Sequence, residues 1–137
     1  MSTAVFAGLD KFKDFGLLVL RLGLGVAFVL HGYPKMLGGP ERWEQLGQVM
    51  DLVGIRFYPV VWGFLAAFAE LGGGILMILG LLFRPAALLL FATMCMATAF
   101  HISKGDPFSG WAHPFEMAAV FFGLLLLGPG RLSVDGK

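Results

Sequence analysis

Charged residues are scarce in this chain. Asp, Glu, Lys and Arg make up 14% of its 137 residues, against roughly 25% in soluble domains, too few to coat a water-facing surface. A formal net charge of +1 and a pI near 7.9 give none of the basic footprint of a nucleic-acid binder. Cysteine is rarer still, with Cys95 the only one. An internal disulfide, a CxxC motif and a four-cysteine metal site are therefore excluded, and with them dithiol redox chemistry carried by this chain alone. Flavin, haem and dinucleotide motifs are missing, as is any tight ligand spacing such as HxxxH. No A-x-A-like cleavage site follows Lys11 and Lys13, and Arg21 interrupts the apolar run behind them. That run reads as a retained helix, not a signal peptide.

What is abundant is apolar: 58% of the residues, with a mean hydropathy of +0.81. Between Phe15 and Leu30 only Arg21 is charged, and between Val60 and Phe83 only Glu70. Such stretches suit bilayer spans of about 20 residues each. The predicted fold is an all-α membrane protein, a single four-helix transmembrane domain over 1–137 with spans near 15–33, 59–83, 85–102 and 114–128. Pro34 discourages continuation of the first span. Pro59, Pro85 and Pro114 suit first helical turns, where a missing amide hydrogen costs nothing.

Residues 40–54 differ in kind. Trp43, Leu46, Met50 and Val53 recur at helical spacing, with Arg42, Glu44, Gln45, Gln48 and Asp51 elsewhere. The segment is expected to be a short amphipathic helix, lying either on the membrane interface or as a cap on the bundle. Near the helix ends, the side with both termini carries Lys11, Lys13, Arg84, Arg131 and Lys137, and the other side Lys35, Arg42, Arg56 and Lys104. By the positive-inside rule that small excess puts the termini in the cytoplasm.

Charges inside spans are costly and usually face the bundle interior. Glu70 shares its helical stripe with Gly63, Ala66, Ala67, Gly73 and Gly74, small residues that let helices approach closely. At a rise of 1.5 Å per residue from the terminal side, His31 lies roughly 24 Å up, Glu70 roughly 21 Å, His101 roughly 24 Å and Glu116 roughly 18 Å. One residue from each span thus enters a single layer. Arg21, only about 9 Å up, is too low to meet Glu70 and either snorkels or meets a neighbouring helix end. His31 is the expected partner of Glu70, with Lys35 reaching in from above. Asp106, Trp111 and His113 are candidates for a lid, although His113 reads more simply as a loop residue. A short internal similarity, AFVLHGYPK (27–35) against ATAFHISK (97–104), suggests two related hairpins.

RLGLGVAFVLHGYPK (21–35), AELGGGILMILGLLFR (69–84) and GPGRLSVD (128–135), taken in order, resemble the DoxX family. The resemblance covers nearly the whole chain. It implies a four-helix bacterial inner-membrane protein, and Arg21, His31, Lys35 and Glu70 match the family's polar pattern. Some relatives are associated with quinone-linked oxidoreductases, including thiosulfate:quinone oxidoreductase, and others with membrane complexes that handle oxidative stress.

Three functions remain open. One is an oxidoreductase subunit acting on a membrane quinone, with His31, Lys35, Glu70, His101 and Glu116 as proton-handling groups and Phe28, Trp62 and Phe100 as apolar walls. A second protein subunit then delivers the electrons. Another is a non-enzymatic anchor or assembly partner, in which the polar layer only fixes helix registry. The third is a small proton-linked carrier, which at four helices needs a homo-oligomer to enclose a path. A metal held by two histidines and two carboxylates ranks below these. Lipid is the surrounding partner in every case.

Overall fold

In lipid, each backbone polar group must be satisfied within the protein, and helices do this locally. The structure, a computed structural model, describes residues 5–136. A 3-10 helix, Ala7–Phe12, leads into α1 (Lys13–Leu37), followed by α2 (Gly39–Gly47), a second 3-10 helix (Gln48–Val53), α3 (Pro59–Leu79), α4 (Phe83–Ser103) and α5 (Phe108–Leu127). Among the described residues there is no strand. The helices α1, α3, α4 and α5 are long and apolar enough to cross a membrane, and the short amphipathic helix sits between the first two of them. Their outer faces expose Val26 and Leu30, Leu65 and Phe68, Leu88 and Leu89, Phe122 and Leu126. An apolar surface this extensive belongs against lipid. The chain is a four-span membrane protein.

Two helix ends differ from the sequence expectation. α1 runs through Pro34 to Leu37, although a proline inside a helix costs about 3 kcal/mol. Tertiary contacts hold the last turn in place. An added Cβ at Gly32 would lie 2.5 Å from the backbone nitrogen of Leu71, and the indole of Trp43 donates to the Lys35 carbonyl at 3.1 Å. Pro114 is likewise internal, because α5 begins after Pro107 and is 20 residues long, close to the length of the others. Pro85 and Pro59 do occupy first turns. These shifts put Lys35 and His113 on helices, where their directions are fixed.

The closest helix approaches use the predicted stripe of small residues. α1 and α3 make the most extensive pair. α2 lies backbone-to-backbone on the start of α3: a side chain on Gly63 would collide with the Trp43 carbonyl, and one on Gly47 with that of Pro59. Trp43, Leu46 and Met50 turn inward, whereas Arg42, Glu44, Gln45 and Gln48 stay exposed. Val53, the last member of the predicted apolar stripe, is exposed as well. The core, including Phe28, Met77, Phe83, Leu90, Met94 and Phe121, lies between α1, α3, α4 and α5.

At the end of the bundle that holds the termini, α3 closes with a Schellman motif. Gly80 donates to Met77 and Leu81 to Leu76, and Gly80 takes the left-handed conformation (φ 66°) that this cap requires. The chain after α5 folds back beneath this corner. Val134 and Asp135 donate backbone hydrogen bonds to the carbonyls of Leu79 and Gly80. The Asp135 carboxylate then accepts from the amides of Leu82 and Phe83 at 3.1 and 2.8 Å, capping α4 from 52 residues away.

Candidate functional site

The two buried charges within the spans, Arg21 and Glu70, lie in separate places. Arg21 is 2% exposed and belongs to the corner just described. Its guanidinium donates to the carbonyls of Met77 (3.1 Å) and Ile78 (3.0 Å) at the end of α3, and to Pro129 (3.1 Å) and Leu132 (2.8 Å) in the tail. It meets a neighbouring helix end and does not reach Glu70, as its depth implied.

The second place is a cavity of about 160 Å³ lined by Phe28, His31, Lys35, Glu70, Met94, Ala97, His101, His113 and Pro114. Helical geometry explains the membership. Phe28, His31 and Lys35 recur at spacings of three and four on α1 and so share one face. Met94, Ala97 and His101 repeat that spacing on α4. Phe28 and Met94 are also core residues, so the cavity stands directly on the packed interior. The Phe28 ring meets Phe121 edge-on at 5.0 Å, which fixes the floor.

Glu70 pairs with Lys35, not with His31. The ammonium lies 2.9 and 3.0 Å from the two carboxylate oxygens. The Lys35 side chain is 28% exposed and that of Glu70 only 5%, so the carboxylate is the buried member. The reason is reach: a flexible lysine stem spans the distance from one turn above and sets its amino group against both carboxylate oxygens. His31 turns its ring toward His113 instead, with centroids 6.0 Å apart. Both of these histidines are exposed as well as lining the cavity, so the cavity opens on their side. His101 is half-buried, and its Nδ1 is 2.7 Å from Asp106 Oδ2. That contact leaves Nε2 as the ring nitrogen for a ligand.

Several expected residues lie elsewhere. Glu116 does not line the cavity and is exposed. The buried stripe of α5 is Pro114, Ala118, Phe121 and Leu124, and a residue two positions from Pro114 points about 200° round the helix. Trp62, eight residues before Glu70 and about 12 Å along the axis, lies against Phe57. Its indole nitrogen is buried without a partner among the described residues. Phe100 sits beside the cavity's edge, packed on His101 at 5.5 Å and under the Lys104 ammonium at 4.9 Å. Of the three lid candidates, Asp106 holds His101 and His113 lines the cavity. Trp111 packs on Phe108 and Phe115.

Three imidazoles, an ammonium and a carboxylate therefore surround one small space with an apolar floor. The set can donate and accept hydrogen bonds around a ring and exchange protons with it. Among the described residues, no three His, Cys, Asp or Glu side chains are placed to share a metal ion.

The DoxX family model matches residues 16–102, more than half of the chain. The chain belongs to the DoxX family. The match carries His31, Lys35, Glu70 and His101, while His113 and the tail lie beyond it. Curated relatives align over nearly their full lengths. Inner membrane protein YphA of Escherichia coli is 28% identical over 93% of this chain and 97% of its own. An uncharacterized protein of Haemophilus influenzae is 32% identical over 94% and 95%. Inner membrane protein YqjF of Escherichia coli is 26% identical over 93% and 95%. No solved structure matches the DoxX chain.

Proposed function

We propose that this DoxX protein lies in the bacterial inner membrane and binds the headgroup of a membrane quinone in the cavity between His31, Glu70 and His101, as the membrane subunit of an oxidoreductase system. The observation that carries this reading is the pairing of volume with lining. A dry cavity of about 150 Å³ takes a benzene ring, and the cavity here is about 160 Å³, room for one six-membered ring. Phe28, Met94 and Ala97 suit the ring face, and the imidazoles suit its two oxygens. The tail of the quinone leaves on the open side, past His31 and His113. Full reduction of a quinone takes up two electrons and two protons. The chain has groups for the protons and no electron carrier of its own, so a partner subunit or a second protein supplies the electrons.

Extraction in mild detergent followed by solvent extraction and mass analysis is expected to return about one quinone per chain. His101→Ala and His31→Ala should each lower that occupancy at least about tenfold, the loss of one strong hydrogen bond in a closed site. A protein that emerges without quinone and takes up no short-tailed analogue overturns the reading.

A second reading, a non-enzymatic anchor, is favoured by the Lys35–Glu70 pair, which engages both carboxylate oxygens as a registry bond between α1 and α3 does. Under either reading, the basic excess noted above supports termini in the cytoplasm. Reporter fusions test this: a fusion within residues 40–54 should be active outside the cytoplasm and one at the C-terminus inside it. The opposite pattern reverses the orientation.

A further inference from the structure

A second hollow is larger than the histidine cavity. It lies at the terminal end of the bundle, has a volume of about 460 Å³, and is lined by Asp14, Leu82, Arg84, Pro85, Pro129, Gly130, Arg131, Asp135 and Gly136. The lining comes from the first turn of α1, the α3–α4 corner and the tail. α1 and α4 begin here and α5 ends at Leu127, so the hollow sits where the spans leave the bilayer. Its volume is in the range of small-molecule sites, roughly 300–1,000 Å³.

Its charges are two cations and two anions, and they are not equally committed. Asp135 has both oxygens engaged by the amides of Leu82 and Phe83. Asp14 engages Oδ1 with the amide of Arg131 at 3.1 Å, which leaves Oδ2. Arg84 closes the end of α5 through Nε to Leu125 at 3.1 Å and Nη2 to Leu126 at 3.4 Å, which leaves Nη1. Arg131 is anchored by its backbone, and its guanidinium has no ion-pair partner among the described residues. The groups with unused capacity are thus one carboxylate oxygen and the donors of two arginines. Beside them lies apolar surface: Leu82 is 57% exposed, and Leu126 and Leu127 are each 66% exposed.

We propose that this hollow holds the zwitterionic phosphoethanolamine headgroup of a membrane lipid, with the phosphate on Arg84 and Arg131 and the primary ammonium on Asp14. The fork of Arg131 matches two phosphate oxygens, Arg84 adds a donor from Nη1, and an ammonium donates to a carboxylate at hydrogen-bonding distance. Leu82 and the end of α5 receive the acyl chains. The chemistry is selective in two directions. A choline headgroup carries no N–H to donate to Asp14. A glycerol headgroup carries no cation and leaves the free Asp14 oxygen without a counter-charge.

The test incubates detergent-purified protein with equal amounts of phosphatidylethanolamine, phosphatidylcholine and phosphatidylglycerol and reads retained lipid by native mass spectrometry. Phosphatidylethanolamine should be retained about tenfold over each of the others, the scale of one charge-assisted contact. Asp14→Asn keeps an oxygen for the Arg131 amide but removes the charge, and it should abolish the preference. Arg131→Gln, at an exposed side chain outside the fold's contacts, should lower retention of all three lipids. Soluble phosphoethanolamine should compete with the lipid, and inorganic phosphate should not. Equal retention of the three lipids, an unchanged pattern in both variants, or competition by inorganic phosphate as strong as by phosphoethanolamine overturns the proposal.

Discussion

Arg21→Met is expected to destabilise the bundle by about 3–5 kcal/mol, the range for removing one member of a buried charged network, measured by unfolding in mixed micelles. The guanidinium has five N–H donors and makes four hydrogen bonds to carbonyl oxygens. Two of those acceptors, Met77 and Ile78, lie in the last turn of α3, where carbonyls run out of i+4 partners and carry the negative end of the helix dipole; Met77 also accepts the Gly80 cap bond. No carboxylate pairs with Arg21 among the described residues; the helix end does the compensating. The other two acceptors, Pro129 and Leu132, belong to the tail, so one side chain ties α1, α3 and the returning chain together. Methionine fills the space but leaves the carbonyls of Ile78, Pro129 and Leu132 without the guanidinium donors, at about 1–3 kcal/mol each, while Met77 keeps the Gly80 amide. Relief of the buried charge offsets part of that sum. Arg21→Lys keeps the charge, yet three donors on a single nitrogen cannot bridge carbonyls of two elements as a planar fork does. It should therefore lose roughly half as much. A Lys variant as stable as the parent would show that the fork geometry is not needed.

The same residue shows what was legible in the sequence. Helical rise alone placed Arg21 far below Glu70, and meeting a helix end was one of two readings. Which helix end, and that the tail would share the residue, was not readable. The hydrogen bonds from Arg21 to the tail span 108 and 111 residues, and no local propensity encodes such a pairing. The stripe around Glu70 was readable because close helix packing needs small residues at helical spacing, and Gly63, Ala67, Gly73 and Gly74 are all buried. At Pro34 and Pro114 the fold overrides the proline's local preference for a helix end, and both lie inside helices. The cost was His113: starting the last span at Pro114 left it in a loop, whereas starting it after Pro107 turns its ring into the cavity. Glu116 failed for the complementary reason. Depth alone does not bring Glu116 to the cavity, because the angle around α5 decides whether a residue at the right height faces the site.

The Lys35–Glu70 pair carries the last prediction, because it separates a ligand site from a packing device. Lys35→Met leaves the Glu70 carboxylate, with its side chain 5% exposed, without a counter-charge. A buried pair broken from one side costs about 3–5 kcal/mol. Glu70→Gln should cost less, since Lys35 is 28% exposed and its ammonium can turn toward water. Lys35→Met combined with Glu70→Met removes both charges at similar volume, and such replacements are often neutral or stabilising by about 1–4 kcal/mol. The double variant should recover the stability lost in Lys35→Met, a coupling that a double-mutant cycle reads directly. Quinone content then divides the two readings. If the pair only fixes the registry of α1 against α3, the double variant recovers occupancy together with stability. If the cavity is a quinone site whose polar wall includes Lys35 and Glu70, stability returns and occupancy does not. A polar wall that includes this pair requires the second result; a stable double variant with full quinone content would take Lys35 and Glu70 out of the quinone's contacts and leave them as a registry pair between α1 and α3.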